Sequence, residues 1–306
     1  MRSRFSFEAG EIMNILNEFA EAMAKLEHEK GISGGYEIPG KEPNPHYMSN
    51  SNWNAFLKAM PPEIKSQYGG GSGGELNPKK GCPPKMAAFV SSSRFVYQQS
   101  KDCPGFIFEE QLPTTIGGVA NLDGYLPGKN RVVYVEAKCR EPYGHTPPEK
   151  IKLVYKPVYV WLRKHMGRIF DCVMEDLDDQ YMRTVFFAGR RAIEGFDIKQ
   201  MICHMLGIAA KYLRTESVPD RIDFLYLIYD PSNLPLSDTT KAAVMKIYEQ
   251  TKASASLLRP ERMFGHIVDF LNDRATQKAS DAHLSAMKGA FRFSLCSQFD
   301  YKEKLR

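Results

Sequence analysis

Residues 119–126 read VANLDGYL and residues 131–138 read RVVYVEAK, with Pro127-Gly128-Lys129-Asn130 between them. Both runs are short, apolar and bounded by turn formers, the pattern of two strands joined by a tight connection. The first carries an aspartate, Asp123, in its interior. The second is apolar through Val132, Val133 and Val135, then ends on Glu136 and Lys138. Residues at i and i+2 of a strand share a face. Glu136 and Lys138 therefore point the same way, and Asp123 on the paired strand reaches the same spot.

Outward from this pair, residues 106–112 have the character of a preceding strand, with turn residues at 114–118 after it. A helix is predicted over 86–100, opened by the paired Pro83 and Pro84. On the other side, residues 197–213 carry Ile198, Met201, Ile202, Met205, Leu206 and Ile208 at helical spacing. Residues 222–229, IDFLYLIY, are apolar enough to be a central strand. The order is helix, three strands, helix, strand.

The remainder is less regular. Residues 11–30 repeat apolar positions at threes and fours and predict a helix ended by Gly31. Residues 34–62 are rich in Gly, Pro, Asn and Ser, with one short helix over 52–60. The run GGGSGG at 69–74 is a flexible loop and not a P-loop, because no Gly-Lys-Ser/Thr follows. Helices are expected at 238–252 and 259–274, and the last thirty residues carry no clear pattern. The fold class is α/β in one domain: an N-terminal extension (1–83), a core (84–143 and 197–230), a mostly helical insertion (144–196) and C-terminal helices (231–306).

Composition sets bounds on function. Charged residues make up 25% of the 306 and hydrophobic ones 43%, ordinary for a globular chain and far from disorder. The net charge of +5 permits a nucleic-acid partner without demanding one. None of the six cysteines forms a CxxC pair, which argues against a zinc ribbon. With no secretory leader in residues 1–9, scattered thiols suggest a reducing, cytoplasmic setting. No run approaches 18 apolar residues, so no membrane span is expected.

Asp123, Glu136 and Lys138 are what phosphodiester hydrolysis needs. Two carboxylates bind a hard divalent cation, usually Mg²⁺, through oxygen. The cation polarises the phosphoryl oxygen and acidifies water, and a lysine beside it orients or deprotonates that water and offsets developing charge. An isolated Glu-x-Lys is ordinarily a solvated strand face. Here the strand is apolar up to the motif, the aspartate comes from its hairpin partner, and Glu109 and Glu110 stand in the strand before.

The arrangement resembles the PD-(D/E)XK, or restriction-endonuclease-like, nuclease superfamily, whose common core has the same order of elements. Asp123 matches the motif aspartate, with Leu122 in place of proline, and Glu136 with Lys138 matches (D/E)xK. The wider stretch 73–143 (GGEL, PPKMAAF, SSSRF, FEEQLPTTIGGVANLDGYL, VEAKCREPY) is similar to a little-described bacterial family of restriction-type endonucleases. The superfamily resemblance covers residues 84–143 and 197–230. It implies a glutamate from the first strand or helix, with Glu110 first, Glu109 second and Glu75 a rival. It also implies a polar residue on the following helix, Gln200, with Lys199 and His204 nearby; a helical histidine in such a place is more often a packed one.

Ser92, Ser93, Arg94, Arg140 and Lys199 are candidate contacts for the nucleic-acid backbone. Arg190 and Arg191 with Lys164 and Arg168 are a weaker set, and Trp53 and Trp161 read as packing residues. The expected function is a Mg²⁺-dependent deoxyribonuclease, Mn²⁺ substituting, of restriction or defence type. The alternatives are a DNA-binding protein that keeps the fold without cutting, or an unrelated metal hydrolase. A homodimer is the expectation for an enzyme that cuts both strands.

Overall fold

Apolar residues on one side make Ala9–Glu29 a helix, α1, and Gly31, at φ 81°, turns the chain out of it. The computed structural model describes residues 9–70, 74–79, 81–144, 148–193 and 195–306. An antiparallel ribbon, β1 (Gly34–Tyr36) with β2 (Asn44–Met48), occupies part of the stretch expected to be irregular. Next come α2 (Asn50–Ala59), capped by the Ser49 side chain, and α3 (Pro62–Gly70). The glycine run therefore begins inside a helix, and its residues 71–73 lie outside the described residues.

The helix predicted over 86–100 is shorter. Lys85–Ala87 form one 3-10 turn, and the chain then extends so that the Phe89 N–H reaches His46 O at 3.0 Å. Ser91 caps the Arg94 N–H and starts α4 (Ser92–Ser100). Three strands follow: β3 (Ile107–Pro113), β4 (Val119–Leu126) and β5 (Arg131–Lys138), the last two with their expected bounds. A single turn, α5 (Glu141–Gly144), follows β5.

The insertion is not mostly helical. It holds β6 (Glu149–Lys152), α6 (Lys156–Met166), β7 (Asp171–Asp176), β8 (Tyr181–Ala188) and β9 (Arg191–Ala192). The strands form a second, antiparallel sheet in the order β6-β8-β7, with β9 on β8. Burial along β8 alternates strictly (Met182, Thr184, Phe186 and Ala188 inward), the period of a strand and not of a helix.

Then come α7 (Ile198–Tyr212), β10 (Arg221–Ile228), α8 (Asp238–Leu257), α9 (Pro260–Arg274), α10 (Asp281–Ala290), β11 (Phe291–Ser297) and α11 (Tyr301–Leu305). The C-terminal region is thus not helices alone. It supplies β11, parallel to β10 from Ile222↔Phe291 to Ile228↔Ser297.

The central sheet runs β11-β10-β5-β4-β3, its first three strands parallel and β4 and β3 antiparallel to their neighbours. Every residue of β10 after Arg221 is buried, as a strand covered on both faces requires. α7 covers one face, where the Tyr134 and Tyr212 hydroxyls meet at 3.0 Å. Its Gly207 lies so close to Ala120 and Leu112 that a Cβ there would fall 2.8 Å from each. α4 covers the other face, with Tyr97 against Phe108 and Phe95 against Tyr229. The fold is mixed α/β. Among the described residues no helix is long and apolar enough to cross a membrane.

Candidate active site at a strand fork

β4 and β5 pair only over Gly124↔Val135, Tyr125↔Tyr134 and Leu126↔Val133. Beyond Gly124, β4 stays with β3 while β5 stays with β10, where Tyr226 lies beside Glu136 and Ile228 beside Lys138. The sheet forks at the motif. A strand that loses a neighbour leaves N–H groups needing acceptors. Side chains supply them: the Ala137 N–H donates to Asp123 Oδ2 at 2.7 Å, and the Cys139 N–H donates to Ser92 Oγ at 3.0 Å and Glu141 Oε2 at 2.9 Å. Asp123 therefore stands on one prong and Glu136 with Lys138 on the other.

The charges here are buried. Glu136 is 1% exposed and Lys138 8%. Lys138 Nζ sits 2.7 Å from Glu136 Oε1 and donates to Gln200 Oε1. Gln200 is placed by the start of α7, where the Asp197 carboxylate accepts its N–H at 2.8 Å. One turn further on, His204 Nε2 lies 2.9 Å from Glu136 Oε2. The distance is that of an ion pair, but the angle is poor, and both atoms are left without a hydrogen-bond partner.

Burial by itself would raise the Glu136 carboxyl; Lys138 first, then His204, hold it below the ordinary glutamate range. Burial would lower the Lys138 ammonium, but Glu136 prevails and keeps it well above the usual lysine value. Asp123 is pushed the other way. Burial, then the Glu136 charge, raise it well above a normal aspartate despite Lys138. Lys138 prevails over burial at Glu136 but not at Asp123.

Glu109, and not Glu110, is the first-strand carboxylate whose charge reaches Asp123. In β3, Phe108 pairs with Gly124 and Glu110 with Leu122, so Glu109 lies opposite Asp123. Its φ is +58°, a left-handed conformation rare for a residue with a Cβ. This breaks the alternation of the strand: Phe108 packs on the α4 side, while Glu110 pairs at 3.3 Å with Lys211 of α7. Glu109 reaches Asp123 electrostatically, and its own carboxyl is pushed up to about 7, by burial first, then by Glu75. Glu75 is 4% exposed and already accepts from Lys85 Nζ (2.7 Å) and Ser93 Oγ (2.9 Å).

The expected backbone contacts divide. Ser92 holds Cys139 and Glu141, and Ser93 holds Glu75, so their hydroxyls are used inside the protein. Arg94 is 2% exposed and ion-paired with Glu27 of α1, so it is a buried cation and not a surface phosphate contact. Arg140, after β5, is partly exposed, as is Lys199, which lies 3.7 Å from Glu149. His204 is a packed histidine, edge-on to Phe224, and also the second side chain against Glu136; its spacing of four from Gln200 is the available signal. Among the described residues no three His, Cys, Asp or Glu side chains are already gathered as a metal cage. Compared with known protein families, curated proteins and solved structures, the chain matches none.

Proposed function

We propose that this chain is a metal-dependent deoxyribonuclease of the PD-(D/E)XK type, its core formed by α4, β3–β5, α7 and β10. The observation that carries the reading is the fork itself: a sheet that opens where Asp123, Glu136 and Lys138 converge. The donor set suits a hard divalent cation. Glu136 Oε2 is buried without a hydrogen bond, and the Glu136 charge raises both the Asp123 and the Glu109 carboxyls, a repulsion a cation relieves. Asp123 and Glu136 would hold Mg²⁺ or Mn²⁺, with Glu109 beside them, and the ion supplies polarisation of the phosphate and acidification of water.

The protein's own groups do the rest. Glu136 beside it favours the charged ammonium of Lys138, which suits that group to offset charge developing on phosphorus. Gln200 and Glu136 fix its head from two sides, which preorganises that charge. The fork lies inside the sheet, where β4 parts from β5, and there a strand of DNA would lay its backbone.

The test is incubation with plasmid and with linear single- and double-stranded DNA, in Mg²⁺ or Mn²⁺ against EDTA, beside Lys138→Ala. Cleavage in metal alone, abolished in the variant, is expected. Cleavage that persists in EDTA or in Lys138→Ala sinks the mechanism, and binding without cleavage of any substrate favours a non-catalytic DNA-binding protein.

A further inference from the structure

A cavity of about 330 Å³ opens beside the fork, between the second sheet and α7. Lys150, Lys152 and Tyr181 of the second sheet form one wall, and Lys199, Gln200 and His204 of α7 form the other. Gln200 and His204 are the residues that touch Lys138 and Glu136, so the cavity and the fork share a wall. Among the described residues three lysines line it and no acidic side chain does; Glu149, 3.7 Å from Lys199, lies just behind. Lys150 Nζ sits 4.1 Å from the centre of the Tyr181 ring, which braces an aromatic surface in the lining.

Cations beside an aromatic ring are the combination that holds unpaired nucleotides, phosphates on the lysines and a base on the ring. The volume suits one nucleotide and excludes a duplex. We infer that this cavity receives one unpaired nucleotide of the substrate strand, next to the phosphate at the fork. The inference rests on the nuclease reading for its substrate, but not for its binding.

Binding is measured by fluorescence anisotropy in EDTA, where no cutting is needed, with a short labelled oligothymidylate and a blunt DNA hairpin across about 50–200 mM salt. The variant Lys150→Ala/Lys152→Ala/Lys199→Ala is compared with Lys58→Ala/Lys101→Ala/Lys302→Ala, three exposed lysines outside the cavity. The cavity variant is expected to bind oligothymidylate at least about tenfold more weakly, its salt slope shallower by about 0.7 for each phosphate no longer neutralised. Tyr181→Ala is expected to weaken the oligothymidylate and spare the hairpin, with Tyr181→Phe restoring it. Equal affinities for the cavity and control variants overturn the inference, as does failure of the intact protein to bind oligothymidylate. Cavity-dependent binding in a protein that never cuts DNA would sink the nuclease reading and leave the cavity's role standing. Cutting with unchanged binding would do the reverse.

Discussion

At the first residue of β5, Arg131 Nε donates to Asp223 Oδ2 at 2.5 Å, and Arg221 Nε grips the same carboxylate at 2.9 Å. At the last residue, Lys138 faces Glu136, with Asp123 across the fork and His204 behind. Asp223 and Glu136 are each 1% exposed on neighbouring strands of one sheet. The Asp223 cluster is closed: two guanidinium groups meet one carboxylate, and Arg131 goes on to the Lys304 carbonyl at 2.5 Å. The Glu136 cluster is open. An oxygen and a ring nitrogen lack hydrogen bonds, and two adjacent carboxyls are held above their ordinary values. A buried charge that is fully paired serves the fold, whereas buried charges left in conflict are what the proposed function puts to use.

The largest effect that separates the two ends is on cleavage. Lys138→Ala or Asp123→Asn should lower the cutting rate at least about a thousandfold, the scale of losing an electrostatic group from a transition state. Asp223→Ala should leave the rate per folded molecule within about threefold yet cost about 3 kcal/mol in urea melts, because Arg131 is left without its partner. If Asp223→Ala abolished cutting at unchanged stability, the division between the ends would fail.

Next in size is the response to metal. Mg²⁺ about a hundredfold above its Kd should stabilise the protein by about 2.7 kcal/mol, raising Tm by several degrees. Asp123→Asn should lose this rise and Asp223→Asn should keep it. A Tm indifferent to Mg²⁺ in the intact protein would argue against a cation at the fork.

Smaller again is a pH effect in EDTA. The Glu109 carboxyl titrates about 7 when folded against 4.5 ordinarily, so the folded protein holds a proton that the unfolded chain releases. Stability from this group is present below pH 4.5 and is lost as the pH rises to about 7. Glu109→Gln should therefore stabilise the metal-free protein by about 1–3 kcal/mol at a pH of about 8, with little gain in acid. The smallest effect is at the adjacent residue. Glu110→Ala removes a half-exposed pair with Lys211 and should change stability by about 0.5 kcal/mol or less. A larger loss of cutting in Glu110→Ala than in Glu109→Ala would reverse their assignment.

These two glutamates show where reading the sequence stops. Alternation along β3 allows only one of the pair to face the site and favours neither, and a left-handed residue at Glu109 then breaks the alternation. Arg94 looks like a surface cation until α1 brings Glu27 to it across 67 positions. The second sheet lies in a stretch where α6 supplies the strongest periodic pattern, and β7 keeps few buried residues to mark it. β11 is similarly hard to see, since its identity as a strand comes from pairing with β10.

The sequence by itself determined β4 and β5 to the residue, the helices α1, α7 and α9 to within two residues at each end, and the nearness of Asp123 to Glu136 and Lys138. All of these are local: period, turn chemistry and i, i+2 spacing act within a few residues. Only the tertiary structure decided that β4 leaves β5 at Gly124, that Glu109 stands opposite Asp123, and that His204 and Gln200 close on Glu136 and Lys138. Those outcomes depend on which elements meet in space and on how much water their meeting removes: burial raises the Asp123 and Glu109 carboxyls, while the pairing of Glu136 with Lys138 outweighs it.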